Sequence, residues 1–190
     1  MIKRWLCLLY FAGLTGCAGL SELESTNTLG SSEIVLTGRI ELDPPLRADE
    51  QELHMLGSGR YRNKLLVVVG DEYIDLREPG FDALRNAAVV TLGEDFHIRV
   101  PRRATLVYSG GSILMGADKR GRVDYLHLPG KVKFHTRPGD EAIYLGTIKY
   151  TRDDFNGISD VNVIDQHTQS QQAFKQAFGK SLRSRKAVLE

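Results

Sequence analysis

Cysteine is nearly absent from this chain of 190 residues, which contains only Cys7 and Cys17. If the segment before Cys17 is removed, one cysteine remains, and an intramolecular disulfide or a thiolate metal site is excluded. Histidine is also sparse: five are scattered along the chain, with no HxH or HExxH spacing among them. The sequence therefore predicts no metal site and no cofactor, and a fold held together by its hydrophobic core.

An excess of charge is missing as well. The chain has 25 Lys and Arg against 24 Asp and Glu, and removal of residues 1–16 takes away only Lys3 and Arg4. A nearly neutral chain gives no reason to expect nucleic acid as a partner.

An apolar run, Trp5–Leu14, follows the two positive residues Lys3 and Arg4 at the start of the chain. It is about half as long as the ~20 residues that a helix needs to cross a bilayer. A charged start followed by a short apolar stretch is typical of a secretory signal that is cleaved off. The sequence therefore predicts a signal peptide over residues 1–16 rather than a permanent membrane span.

The next residues, Leu14-Thr15-Gly16-Cys17, resemble the lipobox of bacterial lipoproteins. The resemblance implies that the Cys17 thiol receives a diacylglyceryl group and that signal peptidase II cleaves between Gly16 and Cys17. In many species the new amino group is then acylated too. Each buried CH₂ adds about 0.8 kcal/mol, so two or three chains give a stable anchor. The alternative is an ordinary signal peptide with a chance cysteine.

Ala18 bears on the membrane that receives the anchor. In Gram-negative lipoproteins, Asp at this position retains the protein in the inner membrane. Ala18 therefore implies the periplasmic face of the outer membrane, while in a Gram-positive source the anchor would lie in the plasma membrane.

Composition divides the remainder of the chain into three parts. Residues 17–32 are small and polar, which predicts a flexible tether behind the lipidated N-terminus; docking of Leu20 and Leu23 on the domain is the alternative. Residues 33–179 are long enough for one domain with a core of its own. Residues 180–190 form a basic tail, which is either loose or adds an edge strand.

The apolar periodicity of residues 33–179 predicts a mainly β fold. Gly110-Gly111 and Pro129-Gly130 look like the turns of two hairpins, and Tyr73–Leu76 like a continuation of the preceding strand. Asp165 is a suitable N-cap for a helix over residues 165–178, which Gly179 would end. Strands are predicted at 33–42, 64–70, 89–92, 96–100, 104–108, 112–115, 123–128, 131–135, 142–150 and 158–164. The predicted fold is an antiparallel β-sandwich with one C-terminal helix packed on it.

A second resemblance concerns the C-terminal part of the domain. Residues 138–150, followed by Val163-Ile164-Asp165, by Phe174 and by Phe178-Gly179, resemble small bacterial lipoproteins with a transthyretin- or immunoglobulin-like sandwich. The resemblance covers roughly the last fifty residues in detail. It implies location and fold and supplies no catalytic residues.

A search for reactive groups finds no catalytic set. Residues 153–157 have the residue types of a calcium loop without its alternating oxygen ligands, and Ser109–Ser112 lacks the G-x-S-x-G frame. His127 and His135 flank the hairpin predicted at Pro129-Gly130, where His127 would pair with Val132 and the two imidazoles would lie far apart.

The sequence thus predicts an outer-membrane lipoprotein without enzymatic activity, which binds an envelope protein or stabilises an envelope assembly. A hydrolase acting on envelope polymers or lipids is one alternative. An accessory lipoprotein of a secretion apparatus is another, suggested by analogy of fold alone.

Overall fold

The computed structural model describes residues 19–47, 49–51, 61–77, 85–117 and 123–187, which form two β-sheets and a C-terminal helix, α1 (His167–Phe178). The strands are β1 (Ser21–Glu22), β2 (Glu33–Asp43), β3 (Lys64–Gly70), β4 (Ala87–Thr91), β5 (Asp95–Pro101), β6 (Thr105–Ala117), β7 (Val123–His135), β8 (Ala142–Arg152), β9 (Ile158–Ile164) and β10 (Ser184–Lys186). The predicted fold class, a mainly β sandwich with a C-terminal helix, is confirmed.

The first sheet has the strand order β1-β5-β2-β8-β10, and β9 pairs with β8 farther along the same edge. It is mixed rather than purely antiparallel, because β8 runs parallel to both β2 and β10. Glu33 of β2 therefore lies at the same end of the sheet as Pro101, Ala142 and Ser184. We call this the Glu33 end, and the opposite end, where β2 finishes, the Asp43 end.

The second sheet has the order β4-β3-β6-β7 and is antiparallel throughout. Its two longest strands, β6 and β7, pair along their whole length, so the hairpins predicted within them are wrong. Gly110 instead lies opposite Pro129, at a register shift in the ladder. A Cβ on Gly110 would lie 2.2 Å from Leu128 O, and one on Gly130 would lie 2.6 Å from Gly110 Cα. These glycines serve a close approach of two backbones rather than a chain reversal.

The hydrophobic core lies between the two sheets. Ile34, Leu36 and Ile40 of β2 are fully buried in it. Tyr108 and Tyr150 bring their hydroxyl oxygens within 3.0 Å of each other inside this core. Tyr150 donates to Pro129 O at 2.8 Å, so Tyr108 donates to Tyr150. Burial raises the pKa of Tyr150 to about 12, and both groups stay neutral hydrogen-bonding partners.

Helix α1 packs on the outer face of the first sheet. It starts two residues later than predicted: Gln166 is the N-cap, and Asp165 Oδ1 accepts a hydrogen bond from His167 N at 3.2 Å. Gly179, with φ of 72°, ends the helix as predicted, and its N–H bonds to Lys175 O. Phe174 is buried against the sheet, so the apolar stripe of α1 serves packing.

The predictions for two shorter segments have different outcomes. Tyr73–Leu76 does not continue β3 as a strand. The basic tail adds an edge strand rather than staying loose, because Ser184 of β10 pairs with Ala142 of β8.

Replacing Gly110 with alanine tests the close approach of β6 and β7. Gly93 is the matched control, because it also has a positive φ (79° against 103° at Gly110) but no atom within 4 Å of a built Cβ. A positive φ costs about 1–2 kcal/mol in Gly93→Ala. We expect Gly110→Ala to lower the free energy of unfolding by about 3 kcal/mol or more, since a backbone must also move. Equal losses in urea denaturation would contradict this packing.

Candidate functional site

The predicted lipidation site lies outside the described residues. Leu14, Thr15, Gly16 and Cys17, with the cleavage site between the last two, precede the first described residue, Gly19. The structure therefore bears on the anchor only through the segment that follows it. Among the described residues, no helix is both long and apolar enough to cross a membrane.

The segment after Cys17 is attached to the sandwich almost at once. Leu20 contacts the main core, and Ser21 pairs with Arg99 at the edge of β5. Leu23 is only 5% exposed, and its N–H donates to His97 O at 2.6 Å. Leu20 and Leu23 are therefore docked on the domain rather than part of a flexible tether.

The reach of the chain from Cys17 follows from this attachment. Three residues at full extension span about 10 Å, so Cys17 lies no farther than that from the fixed Leu20. The pairing of Ser21 with Arg99 and of Glu22 with Ile98 directs the preceding residues towards Val100 and Pro101. The described part of the chain therefore begins, at Gly19, near the Glu33 end of the sandwich.

His97 is a buried histidine beneath helix α1. Its ring lies edge-on to Phe174 and Phe178, with ring centroids 4.9 and 5.4 Å away. Its Nδ1 has no hydrogen-bond partner among the described residues. Burial lowers the pKa of His97 to about 4, although Asp95 opposes the shift. The neutral ring acts as part of the apolar contact between α1 and the sheet.

The remaining described histidines each contact a hydroxyl group. His127 Nδ1 lies 3.0 Å from Ser112 Oγ across β6 and β7, and His167 Nε2 lies 2.8 Å from Ser184 Oγ. His127 pairs with Ser112 rather than with Val132, because β7 is one continuous strand. No group of histidine, aspartate and glutamate side chains suited to a metal occurs among the described residues. His54 lies outside the described residues.

The pair Ser112–His127 has the residue types of a nucleophile and its base. Within the described part of the chain, no carboxylate hydrogen-bonds His127 to orient it as a third member would. Asp75 lines the same cavity of about 340 Å³ as His127, but its Oδ1 accepts from Arg77 N. Among the described residues, the pair therefore has no hydrogen-bonded third member that orients the imidazole.

Arg152 holds together the loops at the Asp43 end. Its side chain is 3% exposed, and its guanidinium binds both carboxylate oxygens of Glu50 at 2.7 and 2.9 Å. It also donates to the carbonyl oxygens of Pro44 and Pro45 and to Asn156 Oδ1. Hydrogen bonds from Arg152 lower the pKa of Glu50 to about 2 in spite of its burial. This ion pair fixes the loop that follows β8.

That loop presents Phe155, whose side chain is 93% exposed. Asp153 Oδ1 accepts hydrogen bonds from the N–H groups of Phe155 and Gly157 at 2.8 and 2.7 Å. Asp153 N donates to Gly157 O at 2.9 Å, and Asn156, with φ of 62°, is held by Arg152. Asp153 is thus a turn-forming residue, and Phe155 stands on a loop that is fixed before any partner binds.

A shallow apolar groove of about 330 Å³ lies between the edge strands β7 and β9. Val132 borders it on β7, and Val161 and Val163 on β9. Both β9 valines are more than 40% exposed, so the face of β9 that carries them is open to solvent.

Comparison with protein-family models, with curated proteins and with solved structures finds no match to this chain. The lipoprotein family suggested by residues 138–179 therefore stays a prediction.

The buried His97 predicts a specific pH dependence of stability. Its pKa is about 4 in the folded chain against 6.5 when exposed, so the unfolded chain binds this proton first as the pH falls. Stability from the neutral ring is complete above pH 6.5 and falls until about pH 4, a total of about 3 kcal/mol. The unfolding free energy of the unmodified protein should therefore fall between pH 7 and pH 4.5. We expect a smaller fall in His97→Leu, because the contribution of His97 is removed. Parallel profiles of the two proteins would contradict the assignment.

Proposed function

We propose that this protein is an envelope lipoprotein without enzymatic activity, anchored by acyl chains on Cys17 at the periplasmic face of the outer membrane. It binds another envelope protein through the loop that carries Phe155. The anchor is supported by the four lipobox positions at the end of a short apolar run. Because the chain enters at one end of the sandwich, an anchor on Cys17 would hold the domain close to the membrane.

The observation that carries the binding role is the fixed display of Phe155 at the Asp43 end. Aromatic side chains dominate the binding energy of protein interfaces, and a loop ordered in advance loses little entropy when it binds. The Asp43 end is also opposite the end at which the chain enters from Cys17. A partner can therefore reach Phe155 while the protein stays anchored.

The two alternative functions, a hydrolase and an accessory of a secretion apparatus, make different demands on this geometry. A hydrolase would need a group that orients His127, and the described residues supply none by hydrogen bonding. An accessory role in a secretion apparatus would use the same anchored, protein-binding architecture, and the identity of the partner would distinguish it.

The anchor is tested by the N-terminus of the mature protein. We expect the protein purified from membranes to begin at Cys17 and to carry a diacylglyceryl thioether there, measured by mass spectrometry of the N-terminal peptide. Cys17→Ala should lose the acyl mass. The matched control, Cys7→Ala, should keep it, because Cys7 lies within the removed segment. A mature N-terminus elsewhere, or an unmodified Cys17, would overturn the anchoring proposal.

The binding role is tested by site-specific photo-crosslinking in cells, with the reactive group at the exposed position Asp154. We expect an adduct of one discrete mass, and Phe155→Ser should reduce it at least about tenfold, as for a hot-spot residue. Val89→Ser is the control, because Val89 is 52% exposed on the other sheet. An adduct that survives Phe155→Ser would show that this loop is not the binding surface.

A further inference from the structure

We propose that the Glu33 end of the sandwich is a docking surface for anionic phospholipid headgroups, bound through the guanidinium groups of Arg103, Arg137 and Arg183. The proposal rests on the proposed lipid anchor, because acylated Cys17 would hold this end of the domain against the bilayer. It adds an orientation: the domain stands on the membrane with its Asp43 end pointing away.

The connection between the domain and the proposed anchor is short. Leu20 packs on the core and Ser21 is in the first strand, so the chain is fixed within three residues of Cys17. About 10 Å of extended chain does not allow the domain to move far from the surface. The structure that faces the bilayer is therefore the end near Val100 and Pro101, towards which the first residues run.

The loops at this end are joined to one another by hydrogen bonds. Thr136 donates through its N–H to Ala104 O at 3.1 Å and through its hydroxyl to Arg103 O at 2.6 Å. Ala142 N donates to Arg183 O at 3.3 Å, and the Arg183 guanidinium donates to Gly139 O. The loops 102–104, 136–141 and 181–183 thus form one surface.

Three arginines lie on this surface. Arg103, Arg137 and Arg183 are all exposed. Asp140 is largely buried and is engaged by Arg185 Nη2 and by Arg137 N, each at 2.9 Å. Burial opposes its ionisation, but these hydrogen bonds lower the pKa of Asp140 below its ordinary value. Its charge is thus balanced within the protein.

Further carboxylates at this end belong to Glu33, Asp71, Glu72 and Glu141. Glu33 Oε2 accepts a hydrogen bond from Gly30 N at 2.8 Å, and Glu72 lines the same cavity as Arg103. Glu141 Oε2 accepts from Arg183 N at 2.7 Å, which leaves the Arg183 side chain to other partners. Asp71 lies 3.6 Å from Arg103, but both side chains are more than half exposed, and such a pair is screened by water. An arginine released from it can bind a phosphate with two parallel hydrogen bonds.

The attraction of these arginines to an anionic membrane is moderate. A cation close to an anionic membrane surface strengthens binding roughly fivefold, and three add up to about hundredfold. Without an anchor this gives only weak binding, which needs a high lipid concentration to be measured, but it is enough to orient a protein that is already tethered. Exposed arginines gathered at one end have this effect although the whole chain is nearly neutral.

The test uses the lipidated protein in vesicles of phosphatidylcholine, with or without phosphatidylglycerol, and measures backbone hydrogen exchange. We expect slower exchange in loops 102–104, 136–141 and 181–183 with phosphatidylglycerol only, and none of this protection in 1 M salt. The loop at 153–157 is the internal control. Arg103→Gln/Arg137→Gln/Arg183→Gln should lose the protection.

Two comparison variants separate charge from folding. The triple change of the same arginines to lysine should keep the protection. Arg47→Gln/Arg77→Gln/Lys175→Gln removes three exposed cations from other places and should also keep it. Loss of protection in the second of these variants would overturn the proposal, as would equal exchange on the two kinds of vesicle. Protection by free inorganic phosphate on phosphatidylcholine vesicles would assign the site to a small anion instead.

The same preparation separates this proposal from the proposed anchor. If the purified protein carries no acyl chain, the anchor fails, and that protein is cosedimented with the two kinds of vesicle. The arginine surface then predicts binding to phosphatidylglycerol vesicles that falls about hundredfold in the triple glutamine variant. Absence of such binding would overturn the docking surface as well.

Discussion

The parallel pairing of β2 with β8 is the constraint on which the arrangement of the molecule depends. It aligns the starts of the two central strands, so β10 and the end of β5 are brought to the same end of the sheet. The loops that carry the exposed arginines are gathered at that end. The loop with Phe155 follows β8, and it lies at the opposite end for the same reason. An antiparallel β8 would exchange the positions of the loops at its two ends, 136–141 and 153–157.

Local sequence patterns predict the strands but not all of the connections. β3 and β9 have the predicted bounds, because each is a run with high β-propensity between turn residues. The sequence also predicts turns at Gly110-Gly111 and Pro129-Gly130, where the chain runs straight on. The same residues that permit a tight turn also permit two backbones to approach closely, and only the facing strand distinguishes the two uses.

The candidate site shows the same division between local and distant information. The lipobox is a contiguous motif, so Cys17 can be predicted from neighbouring residues alone. Phe155 lies in a polar turn without periodicity, and its fixed position depends on Arg152, which is bonded to the distant Glu50. The attachment of Leu23 likewise requires Val35 and Phe174, which are remote in sequence. A polar composition therefore predicts a tether where tertiary contacts make an ordered segment.

The ordered connection changes what the proposed anchor does. A flexible tether would let the domain sample many heights and orientations, whereas a chain fixed from Leu20 onwards restricts both. β2 has 11 residues, which at about 3.3 Å per residue places the two ends of the sheet about 35 Å apart. In the proposed anchored state, Phe155 stands at about this height above the bilayer. A partner held at the same height meets Phe155 at a high effective concentration, and one bound flat on the membrane cannot reach it.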